Sequence, residues 1–163
     1  MPRASKTRTY GPRKKYSLAR SAVGQVLTPA VGPALGSQAT VDIVAAIGAQ
    51  GKRKCKNFDI NLALQQNANQ IGTLIYYALV YVPSTTTAGT ISNSTGTEYY
   101  SPPNNVIAAG IYDCDEGTGF RIRTRLARNL NSGDAIQLVM RASSSSTSTI
   151  NLQGVVSYVV AFN

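Results

Sequence analysis

The sequence has no histidine, which excludes His-based catalytic triads, imidazole metal sites and proton shuttles working near neutral pH. It also has no tryptophan and only two cysteines, Cys55 and Cys114. Two are too few for a disulfide framework and neither belongs to a C-x-x-C pair, so both are expected to be reduced and structural. Acids are scarce, seven in 163 residues, and charged residues make up 14%, below the roughly 25% of an ordinary soluble domain. No run approaches the roughly 20 apolar residues of a membrane helix; the best, Ile71 to Val82, contains three Tyr. The N-terminus offers bases without the apolar segment of a secretory signal, so a soluble, non-secreted chain with no membrane partner is expected. There is no Walker phosphate loop and no Gly-x-Gly-x-x-Gly, and Gly117-Thr118-Gly119 precedes a strand pattern where a helix would be needed. With that chemistry missing, neither an enzymatic activity nor a cofactor is expected.

What the chain does have is cation, and it is gathered at one end. The first twenty residues carry seven bases (Arg3, Lys6, Arg8, Arg13, Lys14, Lys15, Arg20) and no acid, which leaves nine bases against seven acids in residues 21–163. A basic segment on a nearly neutral body suits a polyanion. So much like charge with so little apolar area cannot offset the entropy of ordering, so residues 1–20 are expected to be a disordered or conditionally ordered arm. Ser17 to Leu27 could take a short helix on binding. Residues 28–37 pack two Pro and two Gly into ten positions, a hinge that breaks helix and strand alike. The expected organisation is arm and hinge over 1–37 and one domain over 38–163.

That domain speaks in period two. Val41 and Ile43, then Phe58, Ile60, Leu62 and Leu64, alternate with polar or small residues, the pattern of strands with one buried face. Gly72 to Val82 reads as a strand buried on both faces and ending at Pro83. Val106 to Tyr112, Phe120 to Leu126, Ala135 to Arg141 and Val155 to Phe162 complete the set. Turn-forming stretches separate them, with 83–105 and 142–150 expected as long surface loops. Helical periodicity is nearly absent, so the expected fold class is all-β, a single sandwich or barrel of about eight antiparallel strands.

Several clusters compete for a role. Lysines and arginines of the arm neutralise phosphates without reading bases, and Tyr10 and Tyr16 among them could stack on unpaired bases, favouring a single strand. Pro12-Arg13-Lys14-Lys15-Tyr16 also suits an import signal and hence the host nucleus. Lys52, Arg53, Lys54 and Lys56 form a second basic group, either a solvated loop or a second phosphate contact. Arg121, Arg123 and Arg125 share one strand face with Arg128 nearby; three like charges in a row repel unless a polyanion, or acids of another strand or subunit, lie opposite. Asp113, Asp115 and Glu116 are read as a polar turn ahead of a calcium site, because the spacing lacks the full ligand pattern of a calcium loop.

A basic arm, a Pro/Gly hinge and an antiparallel β body resemble the plan of small icosahedral virus capsid proteins, satellite RNA virus coats among them. The segment Arg123-Thr124-Arg125-Leu126-Ala127-Arg128-Asn129-Leu130-Asn131-Ser132-Gly133-Asp134-Ala135-Ile136-Gln137-Leu138-Val139, followed by Gly154-Val155-Val156-Ser157-Tyr158, is similar to the capsid proteins of circular Rep-encoding single-stranded DNA viruses, the circovirus-like group. Their chains often show an Arg-rich strand, an Asn-x-x-Ser-Gly-Asp turn and a closing Gly-x-Val-x-Tyr strand. The resemblance implies a single jelly roll of eight strands in two facing sheets. It also implies a virion location and self-assembly into a T=1 icosahedral shell of about 60 copies. The arm would point inward to a single-stranded viral genome, DNA ahead of RNA. About 60 such arms would bring on the order of 400 positive charges, enough for part of a kilobase-sized strand. The competing expectation is an OB-like barrel with a basic tail, reading single strands with exposed aromatics; a lectin-like sandwich would leave the arm without a role.

Overall fold

The computed structural model describes residues 15–48, 51–65, 72–117 and 119–162. Ten strands run β1 (Ser17–Leu27), β2 (Ala30–Val31), β3 (Ala39–Val44), β4 (Arg53–Gln65), β5 (Leu74–Val82), β6 (Val106–Asp113), β7 (Gly119–Thr124), β8 (Arg128–Leu130), β9 (Ala135–Ser144) and β10 (Ile150–Phe162). The first sheet has the order β1-β10-β4-β7, with β8 also paired to β4; the second has β2-β9-β5-β6, with β3 also on β9. Every pair is antiparallel except β2 with β9. With β7 and β8 counted as one interrupted strand and β2 as a short annex, the first sheet holds the first, eighth, third and sixth strands and the second sheet holds the second, seventh, fourth and fifth. That order is a jelly roll, the expected fold class. No helix among the described residues is long and apolar enough to cross a membrane.

The period-two runs form the strands read from them. Phe58, Ile60, Leu62 and Leu64 point between the sheets, and Phe58, fully buried, stacks on Tyr158 of β10 with ring centroids 5.8 Å apart. Tyr112 and Phe120 stack at 4.5 Å across the sandwich. β5 is apolar on both faces for a reason the structure makes plain. Ile75 and Leu79 enter the core between the sheets, whereas Ala78, Val80 and Val82 face outward into a second cluster with Ile91 and Tyr100. The 83–105 segment, expected as a surface loop, is therefore partly a lid: its own Ile91 and Tyr100 are buried against β5 and β9, because these doubly apolar strands need cover on both sides.

Ser17–Leu27 corrects the sequence reading. Instead of belonging to the arm and taking a helix, it is the edge strand of the first sheet, paired with β10 from Ser17↔Val160 to Leu27↔Ile150. Only Val23 and Leu27 of its side chains are buried, so the strand is held mainly by its backbone ladder, which hydropathy patterning does not report. The expected disorder of residues 1–14 falls outside the described residues. Phe120 to Leu126 is likewise shorter than expected: β7 ends at Thr124, whose hydroxyl accepts the Leu126 N–H at 3.2 Å, and Leu126 is exposed.

Candidate nucleic-acid interface

A bulge in β4 decides which side chains the first sheet shows to solvent. Cys55 and Phe58 both point inward although they are three residues apart, because Asn57 sits in the left-handed region (φ 55) where the register with β10 shifts between Ser157 and Val159. The extra residue reverses the alternation, so Lys54 and Lys56 face out while Arg53 turns in.

Three rows then cross the exposed face at the end where β1 begins. Leu18, Val159 and Lys56 form the first; Arg20, Ser157, Asp59 and Arg123 the second; Ala22, Val155, Asn61 and Arg121 the third. Arg125 follows β7 and is exposed. Farther along the sheet the rows Gly24, Gln153, Ala63, Gly119 and Val26, Asn151, Gln65 carry no charge. Chain entry lies at the charged end: the Tyr16 ring lies 4.1 Å from the Lys56 ammonium, a cation–π contact. Lys15 beside it is exposed. Arg3, Lys6, Arg8, Arg13 and Lys14 fall outside the described residues.

Acids are distributed the other way. Asp59 is the one acid of the first sheet; Asp42 lies on β3, Glu98 in the 83–105 segment, Asp113, Asp115 and Glu116 at the end of β6, and Asp134 before β9. Arg121 grips Asp59 with two nitrogens, Nε at 2.6 Å and an Nη closer still, and Arg123 approaches it at 4.0 Å. The Arg121 hydrogen bond, helped by the charges of both arginines, holds the Asp59 carboxyl below the usual carboxylate range. The expected acid opposite the arginine row is thus present, but it is one carboxylate. Arg123, Arg125, Lys54, Lys56 and Arg20 remain as surplus cation.

Two expected members leave the group. Arg53 is 7% exposed, and its guanidinium donates to the carbonyls of Ala45 (3.1 Å) and Asp134 (3.0 Å); it is a buried tie between loops, turned away from the exposed face. Arg128 restarts the ladder on β8 opposite the inward-facing Cys55 and donates to the carbonyls of Asn104 and Val106 at 3.3 Å, so it lies off the Arg121–Arg123–Arg125 face. Lys52 is exposed on the loop before β4.

Asp113, Asp115 and Glu116 form a short turn. The Asp113 carboxylate accepts the Asp115 N–H at 3.0 Å, and both oxygens of Asp115 accept the Gly72 N–H at 3.1 Å, tying two loops together. Among the described residues no group of three His, Cys, Asp or Glu is arranged to hold a metal ion. Cys55 and Cys114 are free and buried; burial raises both thiols, Cys114 to about 12.

The residue that sequence reasoning left without a role is Asp134, 4% exposed, beside Arg53 at the start of β4. Its carboxylate accepts the Tyr81 hydroxyl (2.7 Å) and the N–H groups of Ser84 (3.1 Å) and Asn131 (2.7 Å). Burial pushes its pKa up, but hydrogen bonds from Asn131, Tyr81 and Ser84 together carry it below the usual range. Tyr81 in turn is raised to about 12 by burial and by the Asp134 charge. The neighbouring Gly133 has φ +81, and a Cβ there would stand 2.6 Å from that of Ser84, so the Ser-Gly-Asp turn needs its glycine. Gly154 admits no side chain either, since a Cβ would meet the Asn61 carbonyl oxygen at 1.9 Å.

No protein-family model matches the sequence and no curated protein matches it. Solved structures with similar folds include infectious bursal disease virus, Gx strain, at 11% identity and TM-score 0.47 over 99% of this chain. The chain spans only 36% of that viral chain. The decameric BFDV capsid protein matches at 11% identity and TM-score 0.46, over 91% of this chain and 99% of the other. Turnip yellow mosaic virus matches at 10% identity and TM-score 0.42, over 94% and 85%. These neighbours are viral structural proteins.

Proposed function

We propose that this chain is a viral capsid protein of the circovirus-like group, non-enzymatic, which self-assembles into a closed T=1 shell of about 60 copies and packages a single-stranded polynucleotide, DNA ahead of RNA. Residues 1–14 grip the phosphates, and the charged end of the first sheet backs them. The observation that carries the reading is the coincidence of two features. The chain enters the sandwich beside Tyr16 and Lys56, at the same end of the same face where Arg20, Arg123 and Arg125 are exposed. Six of the seven acids lie off that sheet. A slab basic on one side orients naturally around an anionic interior, and the sparsely charged remainder of its surface suits burial against siblings.

The OB-like reading is less well supported. The three exposed rows carry no aromatic ring, whereas Phe58, Tyr77, Tyr112, Phe120 and Tyr158 stack within the sandwich; a stacking platform would need them outside. Sedimentation of the full-length protein tests the proposal: closed particles of megadalton mass absorbing as nucleoprotein are expected, and a chain that remains monomeric across salt and pH would sink it.

A further inference from the structure

The bulge at Asn57 does more than set side-chain parity. Where the register slips, a cavity of about 270 Å³ opens in the exposed face of the first sheet, among Leu18, Asn57, Ser157, Val159, Arg123 and Arg125. We propose that it holds one nucleotide of a single strand. The phosphodiester would sit on the guanidinium groups of Arg123 and Arg125, with the sugar and base over Leu18 and Val159. This rests on the packaging reading above and gives it an address.

The charge state of the cavity favours an anion. Asp59 also lines it, but that carboxylate is held by Arg121. Arg123 touches it only at 4.0 Å, with its own side chain 70% exposed. Arg125 has no hydrogen-bond or ion-pair partner among the described residues. Two guanidinium forks in excess suit a phosphodiester, which they can engage through paired N–H donors. The turn after β7, fixed by the Thr124 hydroxyl on the Leu126 N–H, keeps Arg125 on the same cavity as Arg123.

The floor distinguishes a nucleotide from a free anion. Leu18 is 57% exposed beside Val159, apolar surface that inorganic phosphate would leave bare and a sugar and base would cover. Asn57 and Ser157 at the rim can hydrogen-bond either base edges or sugar hydroxyls. Leu18 lies two residues beyond Tyr16, so a strand gripped by the arm meets this cavity as it reaches the sandwich.

The test uses the full chain and fluorescence anisotropy of labelled 20-mers of dT and of U, titrated over salt. Arg123→Gln with Arg125→Gln should lower the log–log salt slope by about 1.4, two single-strand phosphate contacts, and weaken binding at 0.1 M salt by about tenfold on both oligomers. Arg123→Lys with Arg125→Lys should restore the slope. If the Gln pair does not fold, Leu18→Asp at an exposed position is the substitute, and its carboxylate on the floor should weaken binding comparably. An unchanged slope and affinity in a folded Gln pair overturns the nucleotide site. A chain with Gln at all five bases of residues 1–14 separates the two ideas. If that chain loses affinity and the Gln pair does not, packaging by the arm stands and the cavity falls. If only the Gln pair loses affinity, the cavity stands and the arm falls.

Discussion

Replacing Arg3, Lys6, Arg8, Arg13 and Lys14 by Gln is expected to cut affinity for a single-stranded 20-mer about a thousandfold at 0.1 M salt, and to lower the salt slope by about 3.5. The substitution takes the net charge from +9 to +4, and each lost phosphate contact removes about 0.7 from the slope on a single strand. Substitution is cleaner than removing residues 1–20. Ser17–Leu27 is a strand of the first sheet, and Lys15 and Tyr16 flank the Lys56 contact, so a deletion to residue 20 would unzip an edge together with the arm. Particles should still assemble from the substituted chain, but empty. An unchanged slope would mean that the sandwich alone binds the strand.

Asp134→Ala is expected to destabilise the fold by about 4 kcal/mol, because three part-buried hydrogen bonds to one charged, buried acceptor, from the Tyr81 hydroxyl and the N–H groups of Ser84 and Asn131, are lost together. For a chain of this size the thermal midpoint should fall by about 12 °C. The pH dependence has a definite sign. The folded carboxyl lies below its ordinary value, so its stabilisation is present above the unfolded value near pH 4 and is lost as pH falls through the folded one. Asp134→Asn keeps the shape but should flatten that acid limb. Denaturant unfolding between pH 3 and 7 reads both effects; a loss under about 1 kcal/mol in the Ala variant would show that the donors find other partners.

Where the chain alternates, sequence and structure agree, as β4 from Phe58 illustrates. The failures share a cause: pairing and parity are backbone properties. β1 buries two side chains, so its apolar pattern is thin, yet eleven residues pair with β10. Strict alternation carried back from Phe58 would send Lys54 and Lys56 inward and Arg53 outward; the bulge at Asn57 does the reverse. Arg128 fails for the same reason, because the break at 125–127 resets the ladder. The residues that carry the capsid resemblance turn out to be folding residues. Gly133 and Asp134 shape one turn, Gly154 allows close strand approach, and Tyr158 stacks on Phe58. The bases could be counted in the sequence, but Arg20 was read as part of the arm, and Arg53 and Arg128 do not share the face. Its separation from the acids required the strand order.

Electron cryo-microscopy of particles assembled from the full-length chain tests most directly whether the basic side of the jelly roll encloses a polynucleotide. The account predicts a closed shell with Arg20, Lys56 and Arg123 lining its interior and cargo density against them. A shell with the second sheet turned inward, or one whose cargo density avoids that face, would contradict it.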